Sequence, residues 1–252
     1  MGVVLMYHDV FSHSKKESGF QTVGAIPYKI SVEDFEKQLI AIRDYCEKNG
    51  LSNETVRLTF DDGGVSFYTV ILDILEKYGF RGIFFISTAF VGTDGFLNEE
   101  QIRMISDRGH EIGAHSHTHP SLNEASNMSE QELIDEWTIS IKYLNVVLGY
   151  SATSVSLPNG FCSKIALKSI LDCGIKQIYT STATTKRKYW NGSEMIGRYA
   201  VQDGMLPEHV LSIVKSPIIR MKLKIISNIL LIAKFILGSY YSKFKKKLLS
   251  KS

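Results

Sequence analysis

The sequence predicts an α/β protein in which parallel strands alternate with helices. Short apolar runs rich in β-branched and aromatic residues, such as 3–7 and 82–86, are typical of buried strands. Segments with helical periodicity and capping signals separate these runs along the chain. This alternation favours a parallel sheet with right-handed crossovers, and a length of 252 residues suits one such unit.

The predicted strands end where polar residues begin. The run at 3–7 stops at His8-Asp9, and the alternating run at 56–60 stops at Asp61-Asp62-Gly63-Gly64. Residues 10–31 are rich in Ser, Gly and Lys and predict a loop. The predicted strands are 3–7, 56–60, 82–86, 110–114, 153–156 and 177–180.

Capping residues mark the ends of the predicted helices. Ser31 with Asp34 and Ser129 with Glu132 have the spacing of an N-terminal capping box, and glycine follows two other helical segments at 79 and 109. One predicted helix starts at Ser31, two cover 70–78 and 99–107, and a long one starts at Ser129. A further helix follows residues 157–160 and ends at Cys173. Pro217 then marks the boundary between a domain at 1–214 and a tail at 215–252.

Charge is divided unevenly between these two parts. The last 38 residues contain ten Lys or Arg and no acid, whereas residues 1–214 carry 19 basic against 26 acidic side chains, a formal charge of −7. An acidic body argues against a nucleic-acid enzyme, because phosphate binding needs a basic surface. The three cysteines, Cys46, Cys162 and Cys173, lack metal-ligand spacing and are expected to be reduced core thiols.

Two adjacent carboxylates, Asp61 and Asp62, follow the predicted strand at 56–60. In a barrel enzyme this is the position where chemistry is placed, and neighbouring side chains that point in different directions can take different roles. An Asp-Asp-Gly sequence by itself is more often a simple turn.

A histidine cluster at 115–119 favours the functional interpretation. His115 and His119 are four positions apart, which on a helical turn would place both imidazoles on one side. Two neutral histidines and one carboxylate form a common hydrolytic metal site with open positions. Such ligands accept a divalent ion, with zinc expected first and cobalt, nickel or iron also suited. His117 is expected to face away from the metal.

These residues resemble the first two motifs of the polysaccharide deacetylase family, also called the NodB-homology or carbohydrate esterase 4 group. The motifs are Thr-Phe-Asp-Asp-Gly at 59–63 and His-Ser-His-Thr-His-Pro at 115–120, and the resemblance extends from Val3 to about Val201. It implies a deformed (β/α) barrel, and a metal held by Asp62, His115 and His119. It also implies hydrolysis of N-acetyl groups on N-acetylhexosamine units, with Asp61 as the general base for a water bound to the metal.

The third motif departs from the family pattern Arg-x-Pro-Tyr-Gly, since residues 156–160 read Ser-Leu-Pro-Asn-Gly. In the family the tyrosine position donates its backbone N–H to the oxyanion, which Asn159 can also do. The missing arginine normally steadies the catalytic carboxylate. Arg198 resembles an arginine of related deacetylases and is the candidate to replace it, although a surface arginine is an equal alternative.

Two histidines are candidates for the general acid that the family requires. His209 lies in a Leu-x-x-His sequence, but it follows Gly204 and precedes a helix-like run. His8 ends a buried strand, and its segment resembles the opening of biofilm-polymer deacetylases, whose strand order is similar to a circular permutation of the family. We therefore predict that His8 is the general acid.

The tail predicts an amphipathic helix at a membrane surface. Residues 218–237 are apolar but contain four basic residues, so a membrane span is not expected. In a helix the isoleucines from 225 to 236 lie opposite Lys224 and Lys234, and further lysines follow up to 247. A peripheral contact with an anionic membrane through 218–247 is expected; packing on the barrel is the alternative.

Other functions fit part of this pattern. Hydrolysis of a different non-peptide C–N amide bond would use the same groups, and the altered third motif would suit a catalytically silent carbohydrate-binding barrel. The start of the chain shows no secretory signal, so a cytoplasmic position or the cytoplasmic membrane face is expected. The basic tail suggests a role in making an exopolysaccharide at that face.

Overall fold

The computed structural model of the protein describes residues 2–160 and 163–237, with side chains up to residue 230. Apolar strands with buried side chains on both faces form the centre of the fold. The strands are β1 Val3–Tyr7, β2 Val10–Phe11, β3 Ile30–Ser31, β4 Val56–Phe60, β5 Gly82–Ile86, β6 Glu111–Ala114, β7 Ser154–Ser156, β8 Gln177–Thr180, β9 Lys188–Trp190, β10 Ser193–Gly197 and β11 Tyr199–Ala200.

Helices cover the outside of this sheet, and their N-terminal caps were correctly predicted in two cases. The Ser31 hydroxyl accepts the Asp34 N–H, and Ser129 with Glu132 forms a reciprocal capping box. The helices are α1 Val32–Lys48, α2 Leu72–Lys77, α3 Glu99–Asp107, α4 Leu122–Asn127, α5 Glu130–Leu148, α6 Lys164–Asp172, α7 Pro207–Lys215 and α8 Pro217–Leu237.

Nine strands form one curled sheet in the order β11-β1-β4-β5-β6-β7-β8-β10-β9. Every pair in it is parallel except β9 with β10. One continuous segment, 193–200, pairs with β8 through β10 and with β1 through β11. We call 193–200 the closing segment, because it connects the two sides of the sheet. The predicted deformed (β/α) barrel is confirmed.

The barrel has a large outer core and a small inner one. The outer core lies between the sheet and the helices, where Phe35, Leu39 and Ile42 of α1 are fully buried. The inner core consists of Val4, Ile83, Phe85, Tyr179 and Ile196. These five side chains fill the barrel interior below the edge where the strands end, as is usual for parallel barrels.

Several sequence predictions needed correction. Residues 10–31 are not only a loop, because β2 pairs with β3 within them. The helix predicted at 70–78 begins earlier, with a π-helical turn at Phe67–Ile71. α4 and β9 to β11 were not predicted. Cys46 is a buried free thiol and Cys173 is a half-buried one, while Cys162 lies outside the described residues.

The C-terminal helix begins at Pro217, one residue after the cap of α7. Ile219 and Leu223 pack against the outer core, whereas Ile218 and Ile225 are exposed. Within the described residues no helix combines the length and the hydropathy that a membrane span requires. The lysines from 243 to 247, which are part of the predicted membrane contact, lie outside the described residues.

Candidate functional site

The predicted site residues converge at the edge where the parallel strands end. His8 follows β1, Asp61 and Asp62 follow β4, and His115 follows β6. Asn159 lies in a short turn after β7, and Arg198 lies inside the closing segment. Because parallel strands present their carboxyl ends at one edge, residues far apart in sequence meet here.

Asp62, His115 and His119 form the candidate metal centre. The Asp62 Oδ1 atom lies 3.4 Å from the Nε2 atoms of both histidines, and the three ligand atoms are within 4.8 Å of one another. Asp62 and His115 are buried, and His119 is partly exposed. Such a cluster leaves positions open toward solvent, as a catalytic site needs.

The donor set of this cluster fits a cation. The Nδ1 atom of His115 lies 2.9 Å from the Ser156 carbonyl oxygen, which can only accept a hydrogen bond. Nδ1 therefore carries the proton, and in the neutral ring the Nε2 lone pair points toward Asp62. A lone pair and a carboxylate oxygen that face each other are stabilised by a positive ion between them.

Burial and charge set the protonation of these ligands. Burial lowers the pKa of His119 to about 4, which keeps this imidazole neutral and able to bind a metal. Burial opposes ionisation of Asp62, but the three imidazoles around it, first His115 and then His8 and His119, outweigh burial and lower the Asp62 pKa. Burial likewise disfavours charge on His115, but Asp61 and Asp62 outweigh it and raise its pKa. The two carboxylates thus favour a positive charge beside His115.

The backbone at the ligands is strained rather than helical. Asp62, Ser116 and His119 have φ values of 91°, 60° and 54°, a left-handed region that costs non-glycine residues about 1–3 kcal/mol each when held there. The two imidazoles therefore converge through a left-handed loop, not through the helical turn that the four-residue spacing suggested. Strain of this kind concentrates at functional sites.

Asp61 is held by a buried arginine. Arg198 Nη1 donates to Asp61 Oδ1 at 2.6 Å and Nη2 to Oδ2 at 2.7 Å, a bidentate pair. Both side chains are nearly inaccessible to solvent. Burial alone would raise the pKa of Asp61, but the charge of Arg198 and then that of His115 hold it well below its usual range. Asp61 is therefore ionised at neutral pH.

Arg198 and the serine of the third motif bind the carboxylate of Asp61 together. Ser156 stands where the family motif has arginine, and its hydroxyl donates to Asp61 Oδ2 at 3.0 Å. The same hydroxyl accepts Arg198 Nη2 at 2.7 Å. The guanidinium also lies 5.7 Å from the Phe85 ring centre and 6.0 Å from that of Tyr179, within cation–π range. Arg198 is a buried residue, so the alternative of a surface arginine is wrong.

Asn159 lies beside the loop at 115–120, which carries both histidine ligands. Its backbone is left-handed, with a φ of 53°, and its side-chain amide donates to the Pro120 carbonyl at 3.2 Å. This bond ties the altered third motif to the residue that follows His119. Asn159 is thus held next to the segment that carries His119.

The segment between β2 and β3 lies against the site. The Tyr28 ring packs on His8 with 4.5 Å between centroids, and the Phe20 ring packs on His119 at 4.8 Å. His8 lies close enough to Asp61 and Asp62 to contribute to the lowered pKa of both carboxylates. His209, the other candidate acid, is exposed on α7.

Ser156 is a further residue of the site, and we did not predict it from the sequence. It bonds to Asp61, Arg198 and the imidazole of His115, so it connects the candidate base to the candidate metal ligands. The signal was available, because a serine at the motif position of an arginine leaves room for another side chain to enter.

Comparison with known proteins gives consistent similarities. The sequence model of the family described as polysaccharide deacetylase matches residues 48–178. The peptidoglycan-N-acetylmuramic acid deacetylase PdaA of Bacillus subtilis is 28% identical over 179 residues, which cover 69% of this chain and 65% of that protein. The peptidoglycan-N-acetylglucosamine deacetylase PgdA of Listeria monocytogenes is 30% identical over 141 residues, covering 56% and 28%. The chain thus spans less than two thirds of the length of these relatives.

A solved structure extends the similarity over the fold. The deacetylase PplD of Streptococcus pyogenes, solved in complex with acetate, superposes with a TM-score of 0.68 at 23% identity. The alignment covers 85% of this chain and 98% of that one. The likeness supports the same barrel architecture.

Proposed function

Because the chain belongs to the polysaccharide deacetylase family, we propose that it is a metal-dependent hydrolase that removes N-acetyl groups from N-acetylhexosamine units of a polysaccharide. The observation that carries the proposal is the convergence of Asp62, His115 and His119 ligand atoms within 4.8 Å. The names of PdaA and PgdA describe deacetylation of N-acetylated sugars in peptidoglycan, which supports this substrate class.

Asp62, His115 and His119 would hold the ion, and we propose zinc, since imidazole and carboxylate ligands in this number suit it. A bound divalent ion polarises a carbonyl group and lowers the pKa of water, so it supplies the Lewis acid of the reaction. The partly exposed His119 leaves one side of the cluster open to a sugar.

The protein side chains would divide the proton transfers. Asp61, kept ionised by Arg198, accepts a proton from the attacking water. His8, on the adjacent strand end, donates a proton to the leaving amine of the sugar. The backbone N–H of Asn159 stabilises the oxyanion, a role that needs no particular side chain.

Acetate release from an N-acetylglucosamine oligomer tests this proposal. The wild-type protein loaded with zinc is expected to release acetate, and a chelator is expected to stop the release. His8→Ala is expected to lower kcat by about 10²- to 10⁴-fold, the usual contribution of a general acid. The matched variant His209→Ala, exposed on α7, is expected to stay near wild type.

If His8→Ala kept a near-wild-type rate of acetate release and His209→Ala lost it, His8 would not be the general acid. Absence of acetate release by the metal-loaded wild type, with release of another acyl group from a different amide, would move the chain to another C–N hydrolase activity. A protein that binds the oligomer but hydrolyses nothing would be a silent carbohydrate-binding barrel.

We further propose that the tail at 215–252 makes a peripheral contact with an anionic membrane surface. Exposed apolar side chains at Ile218, Met221, Ile225 and Ile229 recur at helical spacing along α8. The ten basic residues of this region, with no acid among them, would add electrostatic attraction of about 1 kcal/mol each when near the lipid surface. This location would suit a substrate that is attached to or made at a membrane.

Vesicle co-sedimentation measures the membrane contact. The full chain is expected to sediment with vesicles that contain phosphatidylglycerol, and less so with phosphatidylcholine alone or at high salt. The double variant Ile225→Glu, Ile229→Glu alters exposed positions only and is expected to lose most of the binding. Equal sedimentation of this variant and the wild type would rule out the α8 face as the membrane contact.

A further inference from the structure

A buried glutamate on α5 holds the loop between the two histidine ligands. Glu136 Oε2 accepts the backbone N–H of His117 at 3.1 Å and that of Thr118 at 2.9 Å. Its Oε1 accepts the Thr118 hydroxyl at 2.7 Å. The Glu136 side chain is the acceptor in all three bonds, which is the pattern of an ionised carboxylate.

A second side chain, one helical turn further along α5, supports the same loop. Ser140 is fully buried and its hydroxyl donates to the Ser116 carbonyl at 2.9 Å. Positions 136 and 140 lie on one face of a helix, so α5 presents an acceptor and a donor side by side to 116–118. The loop is therefore fixed to α5 at both its N–H and C=O groups.

These bonds act on a loop whose backbone conformation is unfavourable by itself. Ser116 and His119 are both in the left-handed backbone region, which persists in non-glycine residues only when surrounding contacts impose it. The loop also has contacts on its other side, where the Ala89 N–H donates to the His117 carbonyl at 2.9 Å. Glu136 and Ser140 supply the contacts from the helix side.

Burial of Glu136 is otherwise unexplained. Only 6% of the residue is exposed, and within the described residues no lysine, arginine or histidine forms an ion pair with it. A buried carboxylate without a cation is unfavourable unless its hydrogen bonds compensate. In the part of the chain that the structure describes, the hydrogen bonds of its carboxylate go to His117 and Thr118, between the two histidine ligands.

We propose that Glu136, assisted by Ser140, is a positioning residue that sets the geometry of His115 and His119 and thereby the metal affinity of the site. The inference rests on the proposed metal centre. Neither side chain belongs to the ligand cluster. Loss of either is therefore expected to change affinity and not the number of ions bound.

Cobalt binding tests the proposal without any substrate. The full-length metal-free protein is titrated with Co²⁺ against a chelator, and the visible absorption of the bound ion is recorded. Glu136→Gln leaves one oxygen where two accepted hydrogen bonds, and Ser140→Ala removes the donor to Ser116. Each is expected to weaken Co²⁺ binding by about 10- to 100-fold, as for other residues that orient metal ligands, and to change the absorption spectrum.

The matched control is Ser193→Ala. Ser193 is also buried, and its hydroxyl donates to the Ile175 carbonyl at 2.6 Å, at the start of β10 and away from the metal ligands. This variant is expected to keep wild-type affinity and spectrum even if its thermal midpoint falls. Far-UV circular dichroism of each metal-free variant shows whether it is folded.

Three outcomes would overturn the inference. Unchanged affinity and spectrum in Glu136→Gln and Ser140→Ala, with a wild type that binds Co²⁺, would remove the positioning role and leave the proposed function intact. Equal weakening in Ser193→Ala would assign the effect to general destabilisation. Failure of the wild type to bind any Co²⁺ would instead refute the metal centre, and the positioning role with it.

Discussion

Replacing Asp62 by alanine is expected to abolish metal binding and to lower the rate of deacetylation by about 10³-fold or more, since a catalytic ion contributes several kcal/mol of transition-state stabilisation. Asp62 Oδ1 is the atom that both histidine Nε2 atoms face at 3.4 Å. Without Asp62 the cluster consists of two imidazoles and has no negatively charged ligand to offset the charge of the ion. Metal content after dialysis and acetate release measure the two effects.

His117→Ala is the matched control for this prediction. His117 lies between the two proposed ligands in sequence, but its ring Nδ1 is 2.9 Å from the Thr88 hydroxyl and outside the ligand cluster. This variant is expected to retain one ion per chain. A full complement of tightly bound metal in Asp62→Ala would contradict the assignment of Asp62 as a ligand.

Replacing Arg198 by methionine is expected to destabilise the protein by about 3–5 kcal/mol, the usual effect of removing one partner of a buried ion pair. Asp61 would stay buried with the Ser156 hydroxyl but without the bidentate guanidinium. Urea denaturation at pH 7 measures the loss. Arg108→Met provides the control, because Arg108 pairs with Asp73 and Glu76 at a partly exposed position and is expected to cost about 1 kcal/mol or less.

The pH dependence of the Arg198→Met variant follows from the direction of the Asp61 pKa. In the wild type this pKa is depressed, so the stabilisation is present above the unfolded value of about 3.9 and is lost as pH falls through the folded pKa. In the variant burial is no longer outweighed by Arg198, and the Asp61 pKa rises. The stability difference from wild type should therefore shrink at acidic pH, and the acid limb of the rate profile should move to higher pH. An unmoved acid limb would exclude Asp61 as the base.

Most of the barrel could be predicted because buried parallel strands have a strong local signal. β1 and β5 are apolar runs and β4 is an alternating run, and all three match their predicted bounds. β9 was missed because all three of its residues are exposed at a sheet edge, where burial leaves no pattern. β11 has two residues, too few to show any periodicity.

The site was partly predictable for a similar reason. Asp61, Asp62, His115 and His119 are dense in sequence, and strand ends place them at one edge. Arg198 and Asp61 are 137 positions apart in the sequence. They meet only because the closing segment pairs with β1, and no local sequence pattern indicates this contact. Glu136 acts through hydrogen bonds to the backbone of a loop that lies 18 and 19 positions earlier in the chain, and no residue spacing in the sequence indicates such bonds.

The closing segment determines how much of the chain makes a working unit. β11 covers the outer edge of β1, and the Val201 N–H continues this pairing to the Met6 carbonyl at 2.9 Å. A protein trimmed at residue 192 would keep every proposed metal ligand, but it would expose Val3–Tyr7 as an apolar strand edge prone to aggregation. It would also leave Asp61 without its guanidinium. The family match ends at 178, yet the smallest fragment worth expressing must reach at least Val201.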